Sequence, residues 1–309
     1  MVLKSKVPIG IDIDSHNIRI IKMGKHATFN QCIADSIPEG LMHEGRIVSE
    51  DVLARHIRGI MGLNKIKGRK CALCLPSQHV ITKVIFLPKM DKAILMENIY
   101  YDLKEYLPLS LDKYIIDYKI MDVSVSNGIE HWSILTVAVL KEVALSYTKM
   151  LKKAGLKPIY FDTPSNCLHK LLINFASLER QSILNNGNVC LVDLGPYYSN
   201  IVIFHKGSYF VEKTVLTQTD LRQVLDEILR VIRYYNNQVQ SNSGLDNVVL
   251  FGEQTKSLDL MQLIKDNIKV DVALYTDWIE SKEISSGGLE AQDLMVLGKA
   301  IGATIRRIS

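Results

Sequence analysis

Two stretches of the chain repeat the same pattern of apolar and polar positions. Residues 7–25 read VPIGIDIDSHNIRIIKMGK, and residues 188–207 read NVCLVDLGPYYSNIVIFHKG. Each is an apolar run that ends in an aspartate, followed by a short turn and a second run rich in β-branched residues. Alternation of this kind is typical of β-strands, and a short turn between two strands predicts a hairpin. We therefore predict two equivalent hairpins, aligned by placing Asp12 on Asp193.

Elsewhere the spacing of apolar positions changes to that of helices. Between Lys141 and Ala154 they recur three and four residues apart, and Gly155 follows as a helix stop. A second stripe of this kind runs through residues 217–246. Strands that alternate with such helices predict an α/β protein with mixed sheets. The 309 residues suffice for one large domain or two of ordinary size.

The aspartates of the two hairpins are the first candidates for chemistry. A carboxylate at the end of a buried strand requires a partner, because an uncompensated buried charge is costly. The turn that follows presents backbone N–H groups that can hold an anion. Two facing hairpins can therefore hold the phosphates of one nucleotide, with Asp12 and Asp193 positioning Mg²⁺ through water. The alternative is a pair of ordinary hairpins whose aspartates bond their own turns.

Composition excludes several classes of protein. The hydrophobic content of 47% and charged content of 23% are those of a folded chain, and no apolar run approaches the ~20 residues of a membrane-spanning helix. The start of the sequence lacks a signal peptide pattern, so we expect a cytoplasmic protein. A net charge of +4 without a basic cluster disfavours nucleic acid as a partner. The five Cys and eight His lack metal-site spacing, and we expect buried, reduced thiols.

Three further segments carry a resemblance to a known family. Residues 97–120, ENIYYDLKEYLPLSLDKYIIDYKI, combine an amphipathic helix, a Leu-Pro turn and a strand that contains Asp-Tyr. Residues 132–168 read as a strand, a helix and a return strand, and residues 245–272 stand where an adenosine motif is found. With the two hairpins, these segments resemble the type IV pilus assembly PilM family and, more distantly, the FtsA cell-division family. Both belong to the superfamily of actin-like ATPases, and the resemblance covers nearly the whole chain.

The resemblance implies an α/β, actin-like (RNase H-like) two-lobed fold with mixed sheets and an inserted small α/β subdomain. The expected divisions are a first lobe, the inserted subdomain, a linking helix and a second lobe, over residues 1–75, 76–165, 166–187 and 188–309. In the second lobe we expect the adenine-covering subdomain to be shortened or missing. Residues 217–246, where it would be inserted, have room for one helix only.

By the same resemblance, a nucleotide would lie between the two hairpins and the adenosine motif. The residues that would bind it are Asp12, Asp14, Ser15, His16, Asn17, Asp193, Gly195, Ser199, Gly252 and Glu253, with Asp12 and Asp193 toward Mg²⁺. We expect no catalytic residue.

The chain departs from the family pattern where phosphates would bind. Asp14 stands in place of the usual glycine, residues 196–198 read Pro-Tyr-Tyr in place of small hydroxyl residues, and Glu253 replaces the second glycine of the adenosine motif. A carboxylate ~4 Å from a phosphate repels it by ~4 kcal/mol at an effective dielectric constant near 20. We therefore expect a degenerate site that binds ATP and Mg²⁺ weakly or not at all, which disfavours an enzyme without deciding the question. The alternative is that Asp12 and Asp193 are kept because weak binding of Mg·ATP orders the cleft.

The function implied by the resemblance is that of a cytoplasmic scaffold in the type IV pilus assembly machine. Such a scaffold binds the N-terminal tail of the membrane protein PilN and links the inner-membrane platform to the cytoplasmic motor proteins. We expect the tail in a groove along the inserted subdomain, although core packing is the alternative for each candidate anchor. These candidates are Val84, Phe86, Tyr101, Leu107 and Leu135.

Three other functions stay open at this point. The first is an actin-like, ATP-binding, filament-forming protein related to FtsA, in which copies of the chain associate with each other. The second is a bare ATPase of unknown process, and the third is a small-molecule kinase of the same superfamily. Because the sequence ends two residues after Arg307, we expect no C-terminal membrane helix like that of FtsA relatives and no direct membrane insertion.

Overall fold

The computed structural model describes residues 7–24, 29–217, 221–239, 244–256, 258–279 and 291–305. Within these ranges the chain forms two five-stranded sheets, a three-stranded sheet, a two-stranded ribbon and the helices that pack on them. The architecture is α/β with two lobes and an inserted subdomain, as the sequence predicts.

The first lobe is built on a five-stranded mixed sheet in the order β3-β2-β1-β6-β10. Its strands are β1 (Ile9–Ile13), β2 (Asn17–Met23), β3 (Phe29–Ser36), β6 (Lys70–Cys74) and β10 (Lys157–Asp162). Strands β1 to β3 are antiparallel neighbours, and β6 and β10 continue the sheet in parallel pairings. Two helices and a ribbon pack beside this sheet: α1 (Glu50–Leu63), α3 (Lys141–Lys153), β4 (Met42–His43) and β5 (Arg46–Ile47).

The second lobe repeats this topology in the order β13-β12-β11-β14-β15. Its strands are β11 (Asn188–Leu194), β12 (Tyr198–His205), β13 (Ser208–Leu216), β14 (Asn247–Phe251) and β15 (Asp271–Leu274). Again three antiparallel strands are followed by two parallel ones. The helices α6 (Leu221–Gln238) and α7 (Leu258–Asn267) share a core with this sheet. The internal repeat predicted from the two hairpins is therefore confirmed.

The part of the second lobe between β13 and β14 is short. Among the described residues of that segment, α6 is the only regular element, and Val224, Leu225 and Ile228 bury its apolar stripe against the sheet. The helix therefore covers the lobe's own core, and the segment builds no separate adenine-covering subdomain from the residues that the structure describes. The predicted shortening is confirmed.

The inserted subdomain is a three-stranded antiparallel sheet with one helix on it. Its elements are β7 (Val80–Pro88), α2 (Lys92–Lys104), β8 (Tyr114–Ser126) and β9 (Ile129–Leu140), with the strands in the order β7-β9-β8. Leu95, Ile99 and Leu103 face the sheet from α2 and form its core with Ile85 and Ile134.

The insertion is shorter than the expected range of residues 76–165. Helix α3 buries Tyr147, Met150 and Leu151 in the first-lobe core, and β10 pairs with β6, so both belong to the first lobe. The expected linking helix over residues 166–187 is two helices, α4 (Pro164–Phe175) and α5 (Leu178–Asn186). The second begins where the Ser177 hydroxyl caps it by accepting a hydrogen bond from the Arg180 N–H.

The closing helix, α8 (Ala291–Thr304), joins the lobes by packing on α4, on β1 and β2, and beside β14. Its close approach to α4 requires Gly302, because a side chain there would collide with the backbone of Cys167. Among the helices in the described part of the chain, none is long and apolar enough to cross a bilayer.

The five cysteines, all within the described residues, form no disulfide, and all except Cys32 are buried. Cys71 and Cys74 lie in different core clusters, on the opposite faces that their spacing in a strand predicts. Burial raises the pKa of Cys71 to about 12.

Candidate functional site

The two hairpins meet at the cleft between the lobes. In the first hairpin Asp12 lies directly opposite Arg19, and in the second Asp193 lies opposite Asn200. The hairpin turns touch each other, because the His16 ring stacks on the Tyr197 ring with the centroids 4.1 Å apart and the planes 7° from parallel. The candidate residues of both hairpins are therefore brought to one place.

The first turn binds its own aspartate. Oδ1 of Asp14 accepts hydrogen bonds from the backbone N–H groups of His16 and Asn17, both at 2.8 Å. These N–H groups are the donors that an incoming phosphate would use. At this hairpin Asp14 therefore bonds its own turn, whereas Asp12 pairs with Arg19 and Lys299.

Arg19 is the centre of a charged cluster across the cleft. Its guanidinium lies 3.1 Å from Asp12 and 2.8 Å from Asp14 and also pairs with Glu253, while its side chain is only 4% exposed. Glu253 follows β14, so its ion pair with Arg19 connects the second lobe to the first. Burial alone would lower the pKa of Arg19, but the three carboxylates hold this pKa above its ordinary value.

Lys299 supplies a second positive charge from α8. Its ammonium lies 2.9 Å from Asp193 and 3.8 Å from Asp12, the two residues predicted to position Mg²⁺. Burial alone would lower the pKa of Lys299, but both aspartates raise it above its ordinary value, so the side chain is charged at neutral pH. A cation of the protein itself therefore stands between the predicted metal ligands.

The pKa values of Asp12 and Asp14 shift in opposite directions in this environment. Burial raises the pKa of Asp12, with Lys299 and Arg19 opposing that rise. At Asp14 burial acts in the same direction, but Arg19 and the His16 N–H outweigh it and lower the pKa below its ordinary value. Two positive side chains thus balance part of the charge of the cluster's four carboxylates: Asp12, Asp14, Asp193 and Glu253.

The remaining predicted ligands have structural partners. The Ser199 hydroxyl is buried against the Thr217 hydroxyl at 2.9 Å, and the Ser15 hydroxyl accepts from the Gly45 N–H at 3.2 Å. Gly252 has φ +94°, and a Cβ there would meet the backbone of Leu194 and the carboxylate of Asp193. Gly195 lines the cleft beside Lys299.

Beside the cluster is a small pocket that opens to solvent and is lined by residues of both hairpins. The rest of its lining comes from the end of β14 and the segment after it and from α4 and α8, and includes Phe251, Gly252, Met295, Val296 and Leu168. Its free volume is about 20 Å³, which is room for about one water molecule.

The five candidate anchors of the partner groove separate into three locations. Val84 and Leu135 are paired across β7 and β9 and pack against the core next to the second lobe. Phe86 is on the same face and 72% exposed, whereas Tyr101 is 76% exposed on the outer side of α2. Leu107 is only 7% exposed, inside the core under α2, where it cannot contact a partner.

The comparison with protein families settles the family. The model of the family "Type IV pilus assembly protein PilM" matches residues 10–217, two thirds of the chain. The chain belongs to the PilM family. No curated protein matches it by sequence.

Solved structures agree with the PilM fold. A chain of a PilM–PilN type IV pilus biogenesis complex superposes with a TM-score of 0.82 at 17% identity, covering 96% of this chain and 97% of that one. The ethanolamine utilization protein EutJ from Carboxydothermus hydrogenoformans gives a TM-score of 0.53 at 11% identity, with coverages of 96% and 88%. A Bacteroides thetaiotaomicron protein of actin-like ATPase fold and unknown function gives 0.51 at 12%, with coverages of 91% and 96%. The fold is therefore that of the actin-like ATPases.

Mg²⁺ and a nucleotide are the ligands that this fold implies, and in this PilM-family cleft the groups that would hold them contact one another. The turn N–H groups are bonded to Asp14, and Arg19 and Lys299 occupy the space between the carboxylates. A phosphate or a metal ion would have to displace these contacts, each of which is partly or fully buried.

Sequence reasoning missed both positive residues of the cluster. Arg19 had a detectable signal, since a hairpin whose turn follows Asp14 places residue 19 opposite Asp12 on the same face. Lys299 had a weaker one, a single lysine within the apolar stretch LMVLGKAIGA. The predicted effect of Asp14 and Glu253 was repulsion of phosphate. In the structure both carboxylates pair with Arg19, a contact that sequence reasoning did not predict.

Proposed function

We propose that the protein is a scaffold of the type IV pilus assembly machine that binds the N-terminal tail of a PilN-like membrane protein. The observation that carries this proposal is the superposition of almost the whole chain on the structure from a PilM–PilN complex, within a family assigned to pilus assembly. In this role the protein lies at the cytoplasmic face of the inner membrane through its partners. It links the membrane platform to the motor proteins.

The open edge of β7 supports a site for an extended tail. In the described part of the chain β7 pairs with β9 alone, so one side of the strand has free backbone groups. Near its start, Thr82 bonds Tyr209 at 2.6 Å and Glu212 at 3.0 Å, which holds this end against the second lobe. Toward its other end Phe86 is exposed on the same face. A tail that adds to this edge as a further strand would gain main-chain hydrogen bonds and one aromatic anchor.

A labelled peptide with the sequence of the PilN N-terminal tail tests this proposal by fluorescence anisotropy. We expect Phe86→Ala to weaken binding by roughly thirtyfold, the loss of one aromatic hot spot. Tyr101→Ala is the matched control, because it removes an equally exposed aromatic ring from the opposite side of the subdomain. No binding by the wild-type protein contradicts the function, and equal effects of the two substitutions contradict the position of the site.

The charged cluster supports a second part of the proposal, a cleft that is closed by the protein's own charges in place of a nucleotide. Arg19 and Lys299 connect the lobes where Mg²⁺ and phosphates would connect them in a nucleotide-binding relative. A scaffold of this kind keeps its shape whether or not ATP is present.

Calorimetric titration of Mg·ATP into the full chain tests the closed cleft. We expect no saturable heat up to millimolar ATP, and a gain of at least about tenfold in affinity for Asp14→Gly, which frees two turn N–H groups. Micromolar binding by the wild-type protein that Asp12→Ala removes would overturn this part and leave the pilus function intact.

A further inference from the structure

The inserted sheet has a second free edge, on the side opposite β7. Strand β8 has 13 residues, and within the described chain its one pairing is with β9. Exposed edges of this length are usually shortened, broken by proline or covered, because they can pair with other chains. From Tyr114 to Ile120 the strand pairs with β9 without a register shift and contains no proline, so this segment keeps a regular edge.

The middle of this edge carries opposite charges two residues apart. Asp117 and Lys119 are both exposed and, by alternation, lie on the same face of the sheet. Between them, the Tyr118 N–H donates to Oδ1 of Asp117 at 2.8 Å. Strand β8 therefore covers one of its own backbone N–H groups with a flexible side chain, a contact that another strand can replace.

Symmetry limits how two copies of this edge can pair. Two identical strands related by a two-fold axis perpendicular to the sheet run antiparallel, and the residue on the axis faces its own copy. With Asp117 on the axis two carboxylates oppose each other, and with Lys119 on the axis two ammonium groups do. With Tyr118 on the axis, Asp117 of each copy faces Lys119 of the other, and both pairs are of opposite charge.

We propose that two copies of the chain associate through β8 in the register centred on Tyr118. The two three-stranded sheets then form one continuous six-stranded sheet in the order β7-β9-β8-β8-β9-β7. On the face toward α2, Ile116 of each copy lies opposite Ile120 of the other, which adds two apolar cross-strand pairs. On dimerisation each Asp117 carboxylate gives up its hydrogen bond with the Tyr118 N–H of its own chain and pairs with Lys119 of the other copy. The Tyr118 N–H then donates to the backbone of the other β8 strand.

The register shift after Ile120 defines the end of this pairing. Between Ile120 and Asp122 the pairing with β9 shifts, so the strand bends there. Beyond the shift β8 still pairs with β9 as far as residue 126, and no third strand of the described chain joins that part of the hairpin. The proposed contact is therefore short: it spans residues 116–120 of each copy and is centred on Tyr118. Such a contact is expected to be reversible and to depend on protein concentration.

The register centred on Tyr118 can be tested by reversing the charges at positions 117 and 119 in the full-length protein. Sedimentation equilibrium measures the dimerisation of each variant. We expect Asp117→Lys and Lys119→Asp each to weaken dimerisation by at least about tenfold, since each turns two attractive pairs into repulsive ones. An equimolar mixture of the two variants, and the double exchange D117K/K119D, restore opposite charges at both positions and are expected to dimerise like the wild type. Glu97→Lys, the same change in charge on the exposed side of α2, is the control and leaves dimerisation unchanged.

Directed cross-linking provides an independent readout. In a mixture of Asp117→Cys and Lys119→Cys proteins, the two new thiols face each other across the proposed axis, so oxidation is expected to form one intermolecular disulfide between them. Each variant alone places its new thiols diagonally and is expected to cross-link much less. A wild-type protein that stays monomeric, or a mixture that does not recover dimerisation and does not cross-link, overturns the proposal.

Discussion

The two hairpins have the same backbone and different chemistry. Their strands pair in the same register, and both keep an aspartate, Asp12 or Asp193, at the end of the first strand. At the first turn position the pair of equivalent residues is Asp14 and Gly195, where a Cβ on the glycine would meet the Tyr198 carbonyl. The duplicated fold therefore preserves its geometry and changes its charge.

The second difference lies opposite the shared aspartate. Arg19 reaches across the cleft to Glu253, whereas the equivalent residue, Asn200, bonds Glu212 of its own lobe at 2.6 Å. One hairpin supplies an ion pair between the lobes, and the other supplies a hydrogen bond from an uncharged amide to a carboxylate of the same lobe. Of these two equivalent residues, it is therefore Arg19, in the first hairpin, that links the two lobes, which supports the proposal of a cleft closed by the protein's own charges.

The largest expected effect on stability comes from replacing Arg19, and replacing Asn200 in a second variant provides the comparison. Arg19→Met leaves Asp12 and Asp14 without their main partner in a buried site, and we expect a loss of about 3–5 kcal/mol in the free energy of unfolding. Asn200→Ala removes one hydrogen bond to the Glu212 carboxylate and one from the Thr214 hydroxyl, and is expected to cost about 1–3 kcal/mol. Urea unfolding of both variants measures the difference. Equal losses would mean that the ionic bridge is not formed in solution.

Much of the fold follows from the spacing of apolar residues. The repeat of apolar strand, aspartate and turn predicts both hairpins, and the helical stripe before Gly155 predicts α3. These features depend on local periodicity, which one sequence contains in full. The boundary of the insertion was placed too late, because residues 141–162 have the pattern of any helix and strand. Only their contacts with β6 and the first-lobe core assign them.

The site was less predictable because its partners are distant in sequence. Glu253 meets Arg19 across 234 residues, and Lys299 joins Asp12 and Asp193 from the closing helix. No periodicity connects such positions. Leu107 and Phe86 illustrate the same limit, since both are apolar residues near a predicted groove and only packing separates the buried one from the exposed one.

Asp14 has a carboxyl group where the equivalent residue, Gly195, has none, so the contribution of Asp14 to stability should depend on pH. A carboxyl with a pKa below its ordinary value of 3.8 in the folded protein contributes stability above that value, and this contribution is lost as the pH falls through the lower folded pKa. We expect Asp14→Asn to cost about 1.5–3 kcal/mol at neutral pH, as a charge-assisted contact does, and progressively less below pH 3.8. Denaturant unfolding at several pH values measures this. Glu39→Gln, at an exposed loop position, is the control, and a cost for Asp14→Asn that is independent of pH would contradict the assigned pKa.

The smallest expected effect concerns the one contact that the equivalent turn residues make with each other. His16 and Tyr197 occupy matching positions in the two hairpins and stack with centroids 4.1 Å apart. A double-mutant cycle with His16→Ala and Tyr197→Ala is expected to give a coupling free energy of about 0.5–1.5 kcal/mol, as for other ring pairs. The same cycle with Tyr198→Ala in place of Tyr197→Ala is expected to give almost none. Because the two rings come from different lobes, a measurable coupling requires the lobes to be closed in solution without nucleotide. Zero coupling for both cycles would mean that the turns are apart and that the bridge through Arg19 does not by itself hold the cleft shut.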